Sequence, residues 1–287
     1  MAQVKRLFVD GLFGQTHVRI ARPDVVKHPP LVCLHMFPQS GRNFAKFVAA
    51  ASTDRVVLAP DFPGHGESDS LDTPIAAEDY ARSIWAAVDR LGTLEQTGQV
   101  DLFGIHAGAK LAVEAACQRP QHVRKIVLSS AAVLNPDDVA EFREAFSPKP
   151  LDEAGTRFTH WWALITQGRK EYMTLETCAE AFAEVLRGGE KYEWGHAAVF
   201  DYNLRFPRQL KSLTQPVALL NPKDELYEKT LRTLDYLKDV QLFDLPHWSH
   251  GYIESFPHEV ADLVCGWLDD ARPDTRTATA RPVVSNV

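Results

Sequence analysis

The sequence predicts an α/β fold with a mostly parallel central sheet flanked by helices. Short apolar runs, typical of strands buried on both faces, alternate with segments of helical periodicity. Such alternation is typical of right-handed βαβ units, whose strands lie parallel. Residues 134–207 break the alternation, because they show helical patterns and loops without a convincing strand. We therefore expect a helical cap inserted late in the chain.

The predicted strands begin with an N-terminal hairpin. Its two β-like runs, residues 6–13 and 17–21, are joined at Gly14 and Gln15. Further short apolar runs that predict buried strands are residues 31–35, 56–59, 100–103, 125–129, 216–220 and 240–243.

Three helices of the core are predicted from the spacing of apolar residues. Residues 76–91 place apolar side chains on one face, and Gly92 ends that helix. A second helix follows Gly104 and extends to about residue 118. A third begins near Pro257, since proline is favoured in the first turn of a helix.

These patterns divide the chain into three parts. Residues 1–133 and 208–270 form the predicted α/β core, and residues 134–207 form the cap. Residues 271–287 are rich in Thr, Arg and Pro and lack periodicity, so we expect a flexible C-terminal tail.

Charge and composition exclude several classes of partner. The 287 residues carry 31 Lys and Arg against 38 Asp and Glu, a formal net charge of −7, which a phosphate backbone would repel. We find no signal peptide and no apolar run of membrane-spanning length. Four scattered cysteines without a C-x-x-C pair are typical of free thiols in a reducing compartment. We therefore expect a cytoplasmic protein that binds a small molecule, neither nucleic acid nor membrane, with a homodimer as an open alternative.

Several short motifs follow the predicted strands in a fixed order. They are LHMFP at 34–38, DFPGHGES at 61–68, GIHAG at 104–108, NPKD at 221–224 and SHG at 249–251. Together these segments resemble the α/β-hydrolase superfamily over residues 6–270. The resemblance implies, in order, the oxyanion-hole loop, the D-x-P-G-x-G-x-S turn, the G-x-S-x-G nucleophile elbow, the triad acid and the triad histidine.

The elbow is the most informative of these motifs. A strand that turns sharply into a helix needs small residues two positions before and two after the tip, and Gly104 and Gly108 meet that need. The tip itself is His106, where the superfamily carries the covalent nucleophile. Histidine is enriched among non-glycine residues at positive φ, so it can occupy such a tip. The alternative is an ordinary strand–helix turn with a packed histidine.

His250 and Asp224 match the positions of the triad histidine and acid. We expect Asp224 to orient the His250 imidazole, which then acts as the base. His247 is the rival histidine, and Glu225 is the alternative acid. A simple turn-capping role is the other interpretation of Asp224.

The resemblance also implies an oxyanion hole and a binding pocket. The backbone N–H groups of Phe37 and Ala107 are the expected oxyanion donors. Met36 stands where the superfamily usually has glycine, so it is expected to crowd or reshape this hole.

The cap is rich in aromatic residues, which favours a small, flat or apolar ligand. Trp161 and Trp162 from the cap, with Met36 and Gln39 from the core, are the candidate substrate-binding residues.

No cofactor and no metal are expected from the sequence. The histidines at 35 and 65 match positions where the superfamily has structural histidines, and no H-E-x-x-H pattern occurs.

The predicted function is a cofactor-independent hydrolase of a small apolar or aromatic carbonyl compound with a His-His-Asp site. Two facing imidazoles would titrate as a coupled pair and supply one acid and one base, His106 donating and His250 accepting. A direct attack by His106 to give an acyl-imidazole is the alternative. A lyase of the same fold and a ligand-binding pseudoenzyme are the rival functions, and an engineered serine-to-histidine change is the remaining explanation of His106.

Overall fold

One sheet organises the part of the chain that the structure describes. The structure is a computed structural model, and it describes residues 2–147, 149–191 and 193–270. The predicted tail, residues 271–287, lies outside these ranges. Along the chain, the strands of the sheet are β1 (Lys5–Gly11), β2 (Gly14–Ala21), β3 (Leu31–Leu34), β4 (Val57–Pro60), β5 (Val100–Ile105), β6 (Val123–Ser129), β7 (Val217–Pro222) and β8 (Val240–Leu245).

The strand order is β1-β2-β4-β3-β5-β6-β7-β8. The β1–β2 and β2–β4 pairs are antiparallel, and the remaining neighbours are parallel. The predicted α/β class with a mostly parallel sheet is therefore confirmed. From β3 the chain first adds β4 on one side and then β5 to β8 on the other, so the strand order switches at β3. The carboxyl ends of β3, β5, β6, β7 and β8 meet at one edge, where ligand sites of such sheets lie.

The N-terminal hairpin is confirmed, but its predicted turn is wrong. The turn consists of Leu12 and Phe13, and Gly11 pairs with Gly14 at the end of the ladder. Gly14 has a φ of 100°, which an L-residue rarely adopts, so the glycine follows the turn rather than forming it.

The helices of the core pack on both faces of this sheet. For the three helices that were predicted, the bounds given in the sequence analysis lie within two residues of those in the structure. In chain order they are α1 (Ala45–Ala51), α2 (Ala77–Arg90) and α3 (Ala107–Gln118), then, after the insertion described next, α9 (Tyr227–Leu231), α10 (Tyr252–Ser255) and α11 (Pro257–Asp269).

The insertion between β6 and β7 contains helices and no strand among its described residues. This agrees with the helical segment expected there, while the domain bounds at 134 and 207 stay predictions. Its helices are α4 (Pro136–Ala145), α5 (Thr156–Gln167), α6 (Leu175–Arg187), α7 (Glu193–Tyr202) and α8 (Phe206–Ser212).

Alternate residues of the central strands enter two separate apolar layers. In β3, Val32 and Leu34 belong to the layer on one face, while Leu31 and Cys33 belong to the other. Because side chains of a strand alternate in direction, a strand buried on both faces is apolar throughout. This explains why the central strands are continuous apolar runs in the sequence.

None of the helices in the described ranges is both long and apolar enough to cross a membrane.

Candidate active site

His106 occupies a strained turn between β5 and α3. Its backbone has φ 49° and ψ −114°, and its N–H donates to the Ser129 carbonyl at 2.9 Å. A Cβ on Gly104 would lie 2.3 Å from the Gly108 carbonyl oxygen, so a residue with a side chain does not fit there without a shift of the backbone. The turn has the sharp strand-to-helix geometry predicted for the elbow, and it directs the imidazole away from the sheet edge.

A buried carboxylate supports the His106 imidazole. His106 Nε2 lies 3.1 Å from Asp224 Oδ2, and the Asp224 side chain is only 2 % exposed. The Ser130 hydroxyl donates to the same oxygen at 2.5 Å, and the Leu226 N–H donates to Oδ1 at 2.9 Å. Ser130 itself has a φ of 53°, an uncommon value for serine. These contacts fix the carboxylate, which in turn fixes the ring of His106.

A second pair lies beside the first. His250 Nε2 and Glu225 Oε2 form a hydrogen bond of 2.5 Å. Glu225 Oε1 is 3.8 Å from His106 Nδ1, and the two imidazole rings are 5.2 Å apart between centroids, tilted by 35°. Two imidazoles and two carboxylates thus meet in one cluster.

The predicted pairing of Asp224 with His250 is wrong. Asp224 contacts His106, and Glu225, the alternative acid of the sequence analysis, contacts His250. Asp224 is held from the end of β6 by Ser130, whereas Glu225 reaches the loop that follows β8. The two consecutive acidic residues of this loop therefore contact residues at the ends of different strands.

The His250–Glu225 pair carries opposite charges. Burial disfavours the charge of His250, but the Glu225 carboxylate outweighs burial and raises the pKa of His250 above its usual value. Burial likewise opposes the charge of Glu225, yet the charge and hydrogen bond of His250 lower the Glu225 pKa. The contact with Glu225 therefore favours the protonated form of His250, while its role as the base stays a prediction.

The cluster forms the floor of a cavity of about 570 Å³ beneath the insertion. This volume suits a small organic ligand. The upper walls are apolar and aromatic side chains from the insertion, namely Leu134, Phe142, Phe146, Trp161, Ile165 and Phe200.

Three of the four predicted substrate-binding residues line this cavity. They are Met36, Gln39 and Trp161. Trp162 does not line it, because consecutive helical residues point about 100° apart and its ring packs edge-on against Phe182 at 5.8 Å.

The predicted oxyanion donors, Phe37 and Ala107, also border the cavity. Ala107 is the first residue of α3, so its N–H has no acceptor within the helix and can donate to a ligand oxygen. The donor roles of both residues stay predictions.

The other candidate histidines lie outside the cavity walls. His35 is fully buried, donates through Nδ1 to the Met36 carbonyl at 2.8 Å and accepts the Phe62 N–H at Nε2. Burial lowers the His35 pKa to about 3, so the ring is neutral and structural. The rival histidine, His247, is exposed to solvent.

The insertion holds the loop that carries His250. The Ser249 N–H donates to the Tyr172 hydroxyl at 2.7 Å. Met173 lies over Gly251 so closely that a Cβ there would be 2.7 Å from Met173 Cγ. His250 is thereby positioned from both sides, by the core through Glu225 and by the insertion through its backbone neighbours.

Three of the cluster residues have the chemistry of a metal site. One ligand atom each of His106, Glu225 and His250 lie within 4.8 Å of one another. No metal was expected from the sequence, because it has no H-E-x-x-H pattern; these three residues lie on separate loops without local ligand spacing. The fold is what brings them together.

Two buried polar residues of the cavity were missed by the sequence analysis. Lys110, one turn after the elbow, lines the cavity and donates to Asn203 Oδ1 at 3.0 Å, and burial lowers its pKa to about 7. His196 lines it from α7, and its Nδ1 has no hydrogen-bond partner among the described residues. Only the i, i+4 spacing of Lys110 from His106 could have indicated the first, and no local signal indicates the second.

The Lys110→Met variant is expected to be more stable than the parent at pH 7, by about 1 kcal/mol or more. The folded state depresses the Lys110 pKa to about 7, and each unit of depression costs about 1.4 kcal/mol of folding free energy. The unfolded lysine binds a proton between pH 7 and its usual pKa while the folded one does not, so parent stability rises with pH across this window.

Urea unfolding at pH 7 and pH 9.5 measures this difference. The gain in free energy of unfolding of the variant over the parent should shrink at the higher pH. Equal free energies of unfolding for variant and parent at both pH values would contradict the expected cost of burying the lysine. Asn203 Oδ1 keeps the Leu134 N–H as a donor in the variant, so no buried acceptor is left unpaired.

The comparisons with known proteins agree with this architecture. A family model described as the alpha/beta hydrolase fold matches residues 29–158, somewhat less than half of the chain. A mouse protein named "Serine hydrolase-like protein" is 28% identical over 102 residues, which are 36% of this chain and 32% of that protein. The match thus spans about a third of the length of that curated relative.

Solved structures match over nearly the whole chain. An esterase from Thermogutta terrifontis has a TM-score of 0.74 at 17% identity, covering 92% of this chain and 98% of its own. An epoxide hydrolase from Vigna radiata has a TM-score of 0.70 at 15% identity, covering 92% and 97%. A mutant of the N-acyl homoserine lactonase AidH, complexed with N-hexanoyl homoserine, has a TM-score of 0.74 at 16% identity, covering 97% and 100%. At these identities the likeness shows the fold, and it confirms the fold implied by the motifs.

Proposed function

Because the chain is an α/β-hydrolase-fold protein with histidine at the tip of its elbow, we propose that it hydrolyses a small apolar or aromatic carbonyl compound. The elbow residue has no hydroxyl or thiol, so the reaction proceeds by attack of water instead of an acyl-serine intermediate. One arrangement supports this proposal above all. Two imidazoles, each in contact with its own carboxylate, face one another 5.2 Å apart at the floor of the cavity.

The contacts of the two histidines support different catalytic roles for them. His106 and Asp224 have the form of a histidine–carboxylate dyad, in which the carboxylate stabilises the imidazolium that forms when the ring takes a proton from water. His250 stands across from it as the proton donor toward the oxygen of the substrate. The roles are thus the reverse of those expected from the motifs.

The cavity favours an apolar acyl compound with one polar group. Its upper walls are mostly apolar, with Glu141, Lys170 and Thr177 as polar residues among them, and the unpaired Nδ1 of His196 offers an acceptor to a hydroxyl or amide of the ligand. The names of two similar structures, an esterase and an N-acyl homoserine lactonase, make aryl esters and lactones the first compounds to test.

A single-turnover experiment in oxygen-18 water tests this function. With a panel of aryl esters and acyl lactones, we expect one label in the product carboxylate, as hydrolysis by water requires. Product that carries no label would identify a lyase. Saturable binding of panel members without any turnover would identify a ligand-binding protein, and either outcome overturns the proposal.

A further inference from the structure

We propose that His106, Glu225 and His250 form a binding site for one divalent transition-metal ion of the zinc class. The binding itself is independent of the reaction proposed above, while the use of the metal in hydrolysis rests on that proposed function. With the ion bound, the metal takes over the activation of water and the polarisation of the substrate from the two imidazoles, because a nitrogen that ligates a metal cannot also exchange a proton. Imidazole nitrogens and carboxylate oxygens are the ligands that zinc, cobalt and nickel share, whereas magnesium and calcium prefer oxygen alone.

The three ligand atoms are close to the spacing that such an ion needs. His250 Nε2 and Glu225 Oε2 are 2.5 Å apart, Glu225 Oε1 and His106 Nδ1 are 3.8 Å apart, and one atom from each residue fits within 4.8 Å of the others. Ligands of a tetrahedral zinc ion, at about 2.0–2.1 Å from the metal, are roughly 3.3 Å apart. Movements of the ligand atoms by roughly 1.5 Å or less, through side-chain rotation, therefore suffice to enclose the ion.

The second nitrogen of His106 is supported in the manner of a metal ligand. Metal-bound histidines almost always donate their other ring N–H to a carboxylate or carbonyl, which fixes the ring orientation. His106 Nε2 lies 3.1 Å from the buried Asp224 carboxylate, which Ser130 and the Leu226 amide hold in place. This leaves His106 Nδ1 directed toward Glu225 and the centre of the cluster.

The charge of the cluster also favours a cation. Asp224 and Glu225 bring two carboxylates to one end of the cavity, and a divalent ion that displaces the proton of His250 balances both. The cavity lies on the open side of the three ligands. Three protein ligands with one open position are typical of catalytic zinc sites, where the metal polarises a carbonyl or lowers the pKa of a bound water.

Such a site gives a physical reason for histidine at the elbow. The tip of the elbow borders the cavity, and a serine there has no strong affinity for zinc. Histidine supplies a ligand instead of a covalent nucleophile.

Metal binding to the full chain, purified without a polyhistidine tag and stripped with a chelator, tests the proposal. We expect zinc titration by calorimetry to give one ion per chain, with binding at least 10-fold weaker in His106→Asn, Glu225→Gln and His250→Ala. Asp224→Asn should weaken binding by about 10- to 100-fold through the support of His106. Cobalt substitution should give the visible absorption of a tetrahedral ion, a signature that a loosely bound surface ion lacks.

His28→Asn is the matched control. His28 also stands between two carboxylates, 3.4 Å from Asp54 and 3.1 Å from Asp269, but outside the cavity. This variant should bind one zinc ion as tightly as the parent. Absence of stoichiometric binding in the parent, or loss of binding in His28→Asn with retention in His106→Asn, would overturn the proposed site.

The failure of this inference can be told apart from the failure of the proposed function. A chelated, metal-free chain that hydrolyses its substrate at the full rate overturns the catalytic use of the metal and leaves the hydrolase proposal standing. One tightly bound zinc ion without any hydrolysis supports the site and overturns the proposed function.

Discussion

Replacing His106 by asparagine is expected to lower kcat/KM for the aryl esters and acyl lactones that the parent hydrolyses by about 10²- to 10⁴-fold, the range of a lost acid or base. Asparagine tolerates positive φ nearly as well as histidine, so the strained elbow at φ 49° should persist. The variant keeps the fold and loses the imidazole that contacts Asp224. Steady-state kinetics together with circular dichroism measure both properties.

The control for this activity measurement is again His28→Asn, which removes an imidazole between two carboxylates away from the cavity. It should retain the parental kcat/KM within about twofold, since His28 lies outside the cavity and its partly exposed ion pairs contribute little to stability. Undiminished activity in folded His106→Asn would show that the elbow residue takes no part in the chemistry.

Replacing Gly108 by alanine is expected to cost about 3 kcal/mol or more of the free energy of unfolding. A Cβ at this position would lie 2.1 Å from the Leu34 carbonyl oxygen and 2.6 Å from that of His35. Both obstacles are backbone atoms at the end of β3, which cannot rotate away, so α3 has to shift and the packed layers on either side are strained. Urea unfolding monitored by tryptophan fluorescence measures the loss.

Gly266→Ala provides the comparison in the opposite direction. Gly266 lies inside α11 with nothing within 4 Å of its added Cβ. Alanine is a better helix former than glycine, so this variant should gain about 0.5–1 kcal/mol. Equal unfolding midpoints for the two variants would contradict the close approach of α3 to β3.

The fold and the elbow could be predicted because they depend on local steric rules. Two glycines around a tip residue, placed between an apolar run and a helical pattern, leave few backbone alternatives, and His106 indeed adopts positive φ. The central strands could be predicted because burial on both faces makes each of them apolar throughout.

The pairing within the site could not be predicted in the same way. Asp224 and Glu225 are adjacent in sequence, and which of them meets which histidine depends on the order of β6, β7 and β8 in the sheet. The cluster of His106, Glu225 and His250 has the same origin, since more than a hundred residues of sequence separate His106 from the other two. The prediction for Trp162 was wrong for a local reason. On a helix, the residue next to a cavity-lining one points in another direction, so Trp161 and Trp162 do not both line the cavity.

The hydrogen bond between the Ser249 amide and the Tyr172 hydroxyl couples the position of the helical insertion to that of His250. Any movement of the helical insertion that widens the entrance pulls on the backbone directly beside His250. A displacement of the insertion would therefore also displace the His250 ring relative to Glu225, so access to the cavity and the geometry of the His250–Glu225 pair are mechanically linked.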